Sequence, residues 1–110
     1  MEINISTLDQ IMVVDMAGDV DASTAPSVQE KVLPLSTMGS KILLNMARVP
    51  YMSSAGLRML LSLYRQMSAK DGQLVLVGLS EEIQDTMSVT GFLDFFTTYE
   101  TVEAGIAALQ

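Results

Sequence analysis

The chain has no cysteine, no histidine and no tryptophan in 110 residues, and only 17% of it is charged. Without cysteine or histidine there is no thiol nucleophile, no disulfide, no Ser-His or Cys-His dyad, and no ordinary zinc or haem ligand set. Neither a metal nor a cofactor is therefore expected. No clear pair of opposed carboxylates stands in for them, so a small-molecule enzyme is the least supported class and no catalytic residue is assigned. No apolar run approaches the roughly 20 residues that cross a bilayer, and Met1-Glu2 is not the basic start of a signal peptide. The expected setting is the cytoplasm, without membrane insertion.

Charge is scarce and unevenly placed. Residues 41–70 contain five bases (Lys41, Arg48, Arg58, Arg65, Lys70) and no acid, while residues 71–110 contain seven acids and no base. The net charge of −7 argues against nucleic acid or an anionic membrane surface as the main partner. The basic middle segment has two readings. It pairs internally with the acids around it, or it handles a phosphate or an acidic partner.

What is plentiful is apolar sequence, 49% of the chain, enough for one compact core. Ile3, Ile5 and the stretch 11–16 read as two short strands around a turn near Asp9-Gln10. After Gly18 a helix is expected from Ser23, with Ser23 or Thr24 as cap, Pro26 in its first turn, Ala25, Val28, Val32 and Leu33 facing inward, and Pro34 as its stop. The runs 41–47 (KILLNMA) and 73–78 (QLVLVG) look like strands covered on both faces. Between them Leu57, Leu60, Leu61, Tyr64 and Met67 keep helical spacing over 54–70 and form the expected buried stripe. Strand, helix, strand in that order predicts a right-handed crossover between parallel strands. Ser80-Glu81-Glu82 opens a third helix that Gly91 closes. A short strand is expected over 95–99 and a last helix over 101–109. The class is α/β, a mixed sheet with helices packed on it.

Chemistry concentrates at Val49-Pro50-Tyr51-Met52-Ser53-Ser54-Ala55-Gly56-Leu57-Arg58, the turn between a buried strand and the long helix. Open α/β sheets bind ligands at the carboxyl ends of their strands. Ser53 and Ser54 sit where the helix begins, so unpaired backbone N–H groups and the positive dipole end favour a phosphate there. Arg58 is four residues from Ser54, and on a wheel with Leu57 at zero the two fall at about 100° and 60°, with Arg65 at about 80°. Either serine alone also suits an ordinary helix cap. With no neighbouring histidine or lysine base, a hydrolytic nucleophile is not expected, whereas a phosphoryl acceptor needs only exposure. Asp19 and Asp21 form a D-x-D pair, which reads as a turn and helix entry rather than a metal site. Met59 and Leu63 lie at about 200° and 240°, off the centre of the stripe. They form a soft surface for a partner or pack under a neighbouring helix.

Taken in order, Gly18-Asp19-Val20-Asp21, Thr24-Ala25, the strand 42–46 and Tyr51-Met52-Ser53-Ser54-Ala55-Gly56-Leu57 resemble the STAS domains of anti-sigma-factor antagonists, over nearly the whole chain. The family's usual forms are Gly-Glu-Leu-Asp before a Thr-Ala helix start and Asp-Ser-Ser/Thr-Gly-Leu after the third strand. The resemblance implies a single STAS-like domain over 1–110, with about five strands and about four helices. It implies a switch protein rather than an enzyme. Unphosphorylated, such proteins bind an anti-sigma factor that is also a serine kinase; phosphorylation of the first motif serine abolishes binding, and a serine phosphatase resets it. Matched residue by residue, the acceptor is Ser54. Ser53 replaces the motif aspartate and is the alternative acceptor, Ala55 replaces the second serine or threonine, and Asn45 stands where many members have aspartate. Asp21 matches a position near the kinase-binding surface, and Asp21, Ser53, Gly56, Arg58 and Met59 are the implied partner-binding residues. The competing expectation is a phosphorylation-independent interaction module, as STAS-like domains are in transporters and lipid-transport assemblies.

Overall fold

The computed structural model describes all 110 residues. Its elements run β1 (Glu2–Leu8), β2 (Ile11–Ala17), α1 (Ala25–Val32), β3 (Lys41–Arg48), α2 (Ser54–Ala69), β4 (Gln73–Val77), α3 (Glu81–Val89), β5 (Thr97–Tyr99) and α4 (Val102–Leu109). The five strands form one sheet in the order β1-β2-β3-β4-β5. β1 and β2 are antiparallel, and β2, β3, β4 and β5 are successively parallel. The hairpin turn uses Asp9 (φ 51°) and Gln10 (φ 67°), both left-handed, as a two-residue connection matched to strand twist requires.

Alternation along β3 explains its unbroken apolar sequence. Ile42, Leu44 and Met46 face the larger core, built with α1, α2 and α3. Leu43 faces a smaller one with Ile11, Val13, Val75, Val77 and Leu109 of α4. α4 comes close because Gly105 has no side chain: a Cβ there would lie 2.7 Å from Leu43 Cδ1 and 2.8 Å from Val77 Cγ2.

Four details differ from the sequence expectation. The chain over 92–95 is a 3-10 turn and the strand begins only at Thr97, because Phe95 and Phe96 are drawn onto Tyr64 of α2, with ring centroids 5.8 and 5.6 Å away. Pro34 ends the α-helix but not the turning chain, since Leu33–Leu35 continues as a 3-10 turn with proline in its first turn, where its missing N–H costs nothing. The first helix covers only 25–32, with Thr24 at its N-cap position but making no side-chain cap bond; the Asp21 carboxylate instead fastens the turn before it, accepting from Ser23 and Thr24 N–H. The buried face of α2 comprises Gly56, Leu57, Met59, Leu60, Leu63 and Met67, while Leu61 and Tyr64 are half-buried. It is wider than one stripe because α1 covers its flank, which decides between the two readings of Met59 (5% exposed) and Leu63 (1%) in favour of packing under a neighbouring helix.

Candidate functional site at the paired helix entries

The turn after β3 is fastened to the turn after β2. Gly18 N–H donates to the Arg48 carbonyl at 3.0 Å, Val20 N–H to Tyr51 O at 2.9 Å and Ser53 N–H to Val20 O at 2.9 Å. Val20 and Met52 thereby form an isolated parallel bridge, and both side chains are buried. Gly56 makes this approach sterically feasible. A Cβ on it would meet Met52 Cγ at 2.6 Å and Val20 O at 2.7 Å. Its neighbour Leu57 anchors the first turn of α2 in the core.

With the backbone so fixed, the two serines take different positions. Ser53 is the N-cap of α2, extended at φ −82° and ψ 175°, and its hydroxyl oxygen accepts from Gly56 N–H at 3.3 Å. Serine and aspartate are equally good caps, so a serine at this position secures the helix entry and keeps it neutral. Ser54 is the first helical residue and is exposed. Arg58, one turn on, is exposed as well, and Tyr51 is 50% exposed.

Asp21 stands on the facing turn. Its Oδ1 accepts from Ser23 Oγ at 2.7 Å, Ser23 N–H at 2.9 Å and Thr24 N–H at 3.2 Å. Thr24 Oγ1 accepts from Asp21 N–H at 2.9 Å and donates to the Asp19 carbonyl at 2.7 Å. The side-chain and backbone hydrogen bonds from Ser23 hold the Asp21 carboxyl below its ordinary value of 3.8; desolvation opposes them, and the bonds from Thr24 add a lesser lowering. Asp19 contributes only its carbonyl to this turn, so the D-x-D spacing serves a helix entry. The sequence reading missed Ser23 and Thr24 as partners of Asp21; the D-x-S-T spacing, an acid two and three residues before free N–H groups, was the available signal.

Between α1 and α2 runs a shallow groove of about 340 Å³, lined by Ala22, Ala25, Pro26, Gln29, Ala55, Arg58, Met59 and Ser62. Gln29 Nε2 donates to Ser62 Oγ across it at 3.3 Å. Met59 therefore lies beneath this groove, while Ser53, Ser54, Gly56, Arg58 and Asp21 gather at the two helix starts. Within the basic segment, Lys70 Nζ donates to the Ser36 carbonyl at 2.7 Å, and Arg58 is exposed beside Ser54.

A family model described as STAS domain matches residues 2–105. This chain is a STAS domain. It is 30% identical over 93 residues to the anti-sigma-B factor antagonist of Bacillus subtilis, covering 84% of this chain and 85% of that protein. It is also 30% identical over 106 residues to the anti-sigma-B factor antagonist of Staphylococcus epidermidis, covering 94% and 98%. Among solved structures, the Bacillus cell fate determinant SpoIIAA in its phosphorylated form superposes with a TM-score of 0.73 at 18% identity, over 99% of this chain and 100% of that one. This STAS domain is of the anti-sigma-factor-antagonist type, a family of regulatory binding proteins. No helix of it is long and apolar enough to cross a membrane.

Proposed function

We propose that this STAS domain is an anti-sigma-factor antagonist of a partner-switching system, which binds an anti-sigma serine kinase when unphosphorylated and is released by phosphorylation at Ser54. The observation that carries this reading is the unequal placement of the two motif serines. Ser53 Oγ is engaged as the α2 cap, whereas Ser54 is exposed on the first turn. That favours Ser54 over Ser53 as acceptor. The site needs no catalytic base of its own, because the chemistry belongs to the kinase. A serine phosphatase would restore the hydroxyl.

The switch follows from charge. A phosphate brings about −1.5 to −2 units. In the free domain it lies at the positive end of α2, one turn from Arg58, where both stabilise it. In a complex that covers Ser54, the same dianion must be desolvated against whatever acids the partner presents. Free is then favoured over bound, and that difference is what a switch needs. Asp21, Gly56 and Arg58 would border the covered surface, with Met59 as its apolar floor.

The test compares immobilised wild-type, Ser54→Asp and Ser53→Ala proteins in lysate of the source organism. A serine-kinase-like protein held by wild type and Ser53→Ala but lost from Ser54→Asp supports the switch. Equal retention by all three overturns it in favour of phosphorylation-independent binding.

A further inference from the structure

The two edges of the sheet are not alike. β5 has three residues and ends in turns on both sides, a short edge that offers little to another strand. β1 has seven residues, Glu2 to Leu8, in unbroken register with β2. It carries no lysine, arginine or proline and no bulge, the devices by which sheet edges are usually kept from pairing. Three large exposed apolar residues border it: Met1 (40% exposed), Ile5 (38%) and Leu8 (47%). Ile3 and Ile5 lie opposite Met16 and Val14, residues of the larger core, and Ile3 packs against that core. The core thus reaches the β1 edge and ends at Ile5.

We infer that β1 is a self-association strand, and that two copies of this chain pair antiparallel through it about a two-fold axis at Ile5. In that register Ile5 lies against Ile5 of the second copy, Ile3 against Thr7, Asn4 against Ser6 and Glu2 against Leu8. All seven residues find partners and no acid faces an acid, although each chain carries a net −7. The larger cores of both copies become continuous through the isoleucine pair, and the combined sheet has ten strands. Because the axis reverses strand direction, the two Ser54 turns lie at opposite ends of the dimer. Each remains open to its own partner, so this inference is independent of the proposed switch.

The absence of cysteine makes the test clean. An Ile5→Cys variant should form a disulfide-linked dimer under mild oxidation many times faster than Val89→Cys, whose residue is 88% exposed on α3. The wild-type mass by light scattering should rise from 11.9 kDa toward twice that value as concentration approaches millimolar, and rise further with added salt as the net charge is screened. Ile5→Lys should remain at monomer mass while keeping the wild-type circular dichroism spectrum. A wild-type chain that stays monomeric at millimolar concentration overturns the inference. So does an Ile5→Cys variant that crosslinks no faster than the control.

Discussion

Helix α1 is entered through an ionised acid that accepts from both the backbone N–H and the hydroxyl groups of Ser23 and Thr24, whereas α2, one groove away, is entered through a neutral serine hydroxyl holding one donor. The two turns are bonded to each other through Val20, Tyr51 and Ser53, so neither helix start is positioned alone. The difference lies in what each entry leaves free. The Asp21 entry is closed, with negative charge already at the dipole end. The Ser53 entry adds no charge, so the positive end of α2 stays available to a phosphate on the next residue. A fixed carboxylate at one helix start and a neutral cap at the other is the asymmetry a phosphorylation switch would use.

The firmest way to break this arrangement is to part the two turns. Glycine to alanine in a helix ordinarily gains up to about 1 kcal/mol. At Gly56 the sign should invert, because the new Cβ would meet the Val20 carbonyl at 2.7 Å, a backbone atom that cannot swing aside. Gly56→Ala should cost about 2–3 kcal/mol, the scale of overpacking in a tight core, read from the urea midpoint at unchanged m-value. A variant as stable as wild type would show that the turns are not locked together. Smaller, but aimed at one entry, is removal of the α2 cap. Ser53→Ala should cost about 1 kcal/mol, and Ser53→Asp should restore that stability with a few tenths more from the dipole.

The acid entry is distinguished by pH. Asp21 has its carboxyl pKa lowered on folding, so its contribution is fully present above the ordinary value of 3.8. It is lost progressively as pH falls below 3.8 and through the lower folded-state value. In urea unfolding at pH 7, Asp21→Asn should be less stable than wild type, and the gap should narrow at pH 3. A gap that is constant with pH would assign the effect to packing rather than to ionisation. The Ser53 entry should show no such dependence.

Much of this was readable from residue spacing, and the exceptions share a cause. The hairpin, the both-sided burial of β3, a third helix opening at Ser80-Glu81-Glu82 and a last helix within 101–109 follow from local pattern, and the structure contains each of them. The true burial of Met59 and Leu63, the 3-10 turn at Phe92–Phe95 and the exposure of Ile5 are set by what another element does or does not cover. Angular position on one helix cannot report that α1 lies across its flank. At the site, the Ser53-Ser54 pair stood out by sequence, yet its division of labour required the cap geometry. The zipper through Val20 and Met52 was hidden, because its bonds are main-chain bonds that no side-chain motif announces.

The smallest expected effect tests the comparison most sharply. Ser54 is exposed on the first turn of α2, where its N–H is among those with no intrahelical partner in any case. Ser54→Ala should therefore leave stability within about 0.5 kcal/mol of wild type, in contrast to Ser53→Ala beside it. If phosphate is accepted at Ser54, this substitution should abolish kinase-dependent incorporation of labelled phosphate while Ser53→Ala retains it. The two substitutions then separate cleanly, one altering stability without phosphorylation and the other phosphorylation without stability. Label retained in Ser54→Ala and lost in Ser53→Ala would reverse the assignment, and would require the α2 cap to open whenever the kinase acts.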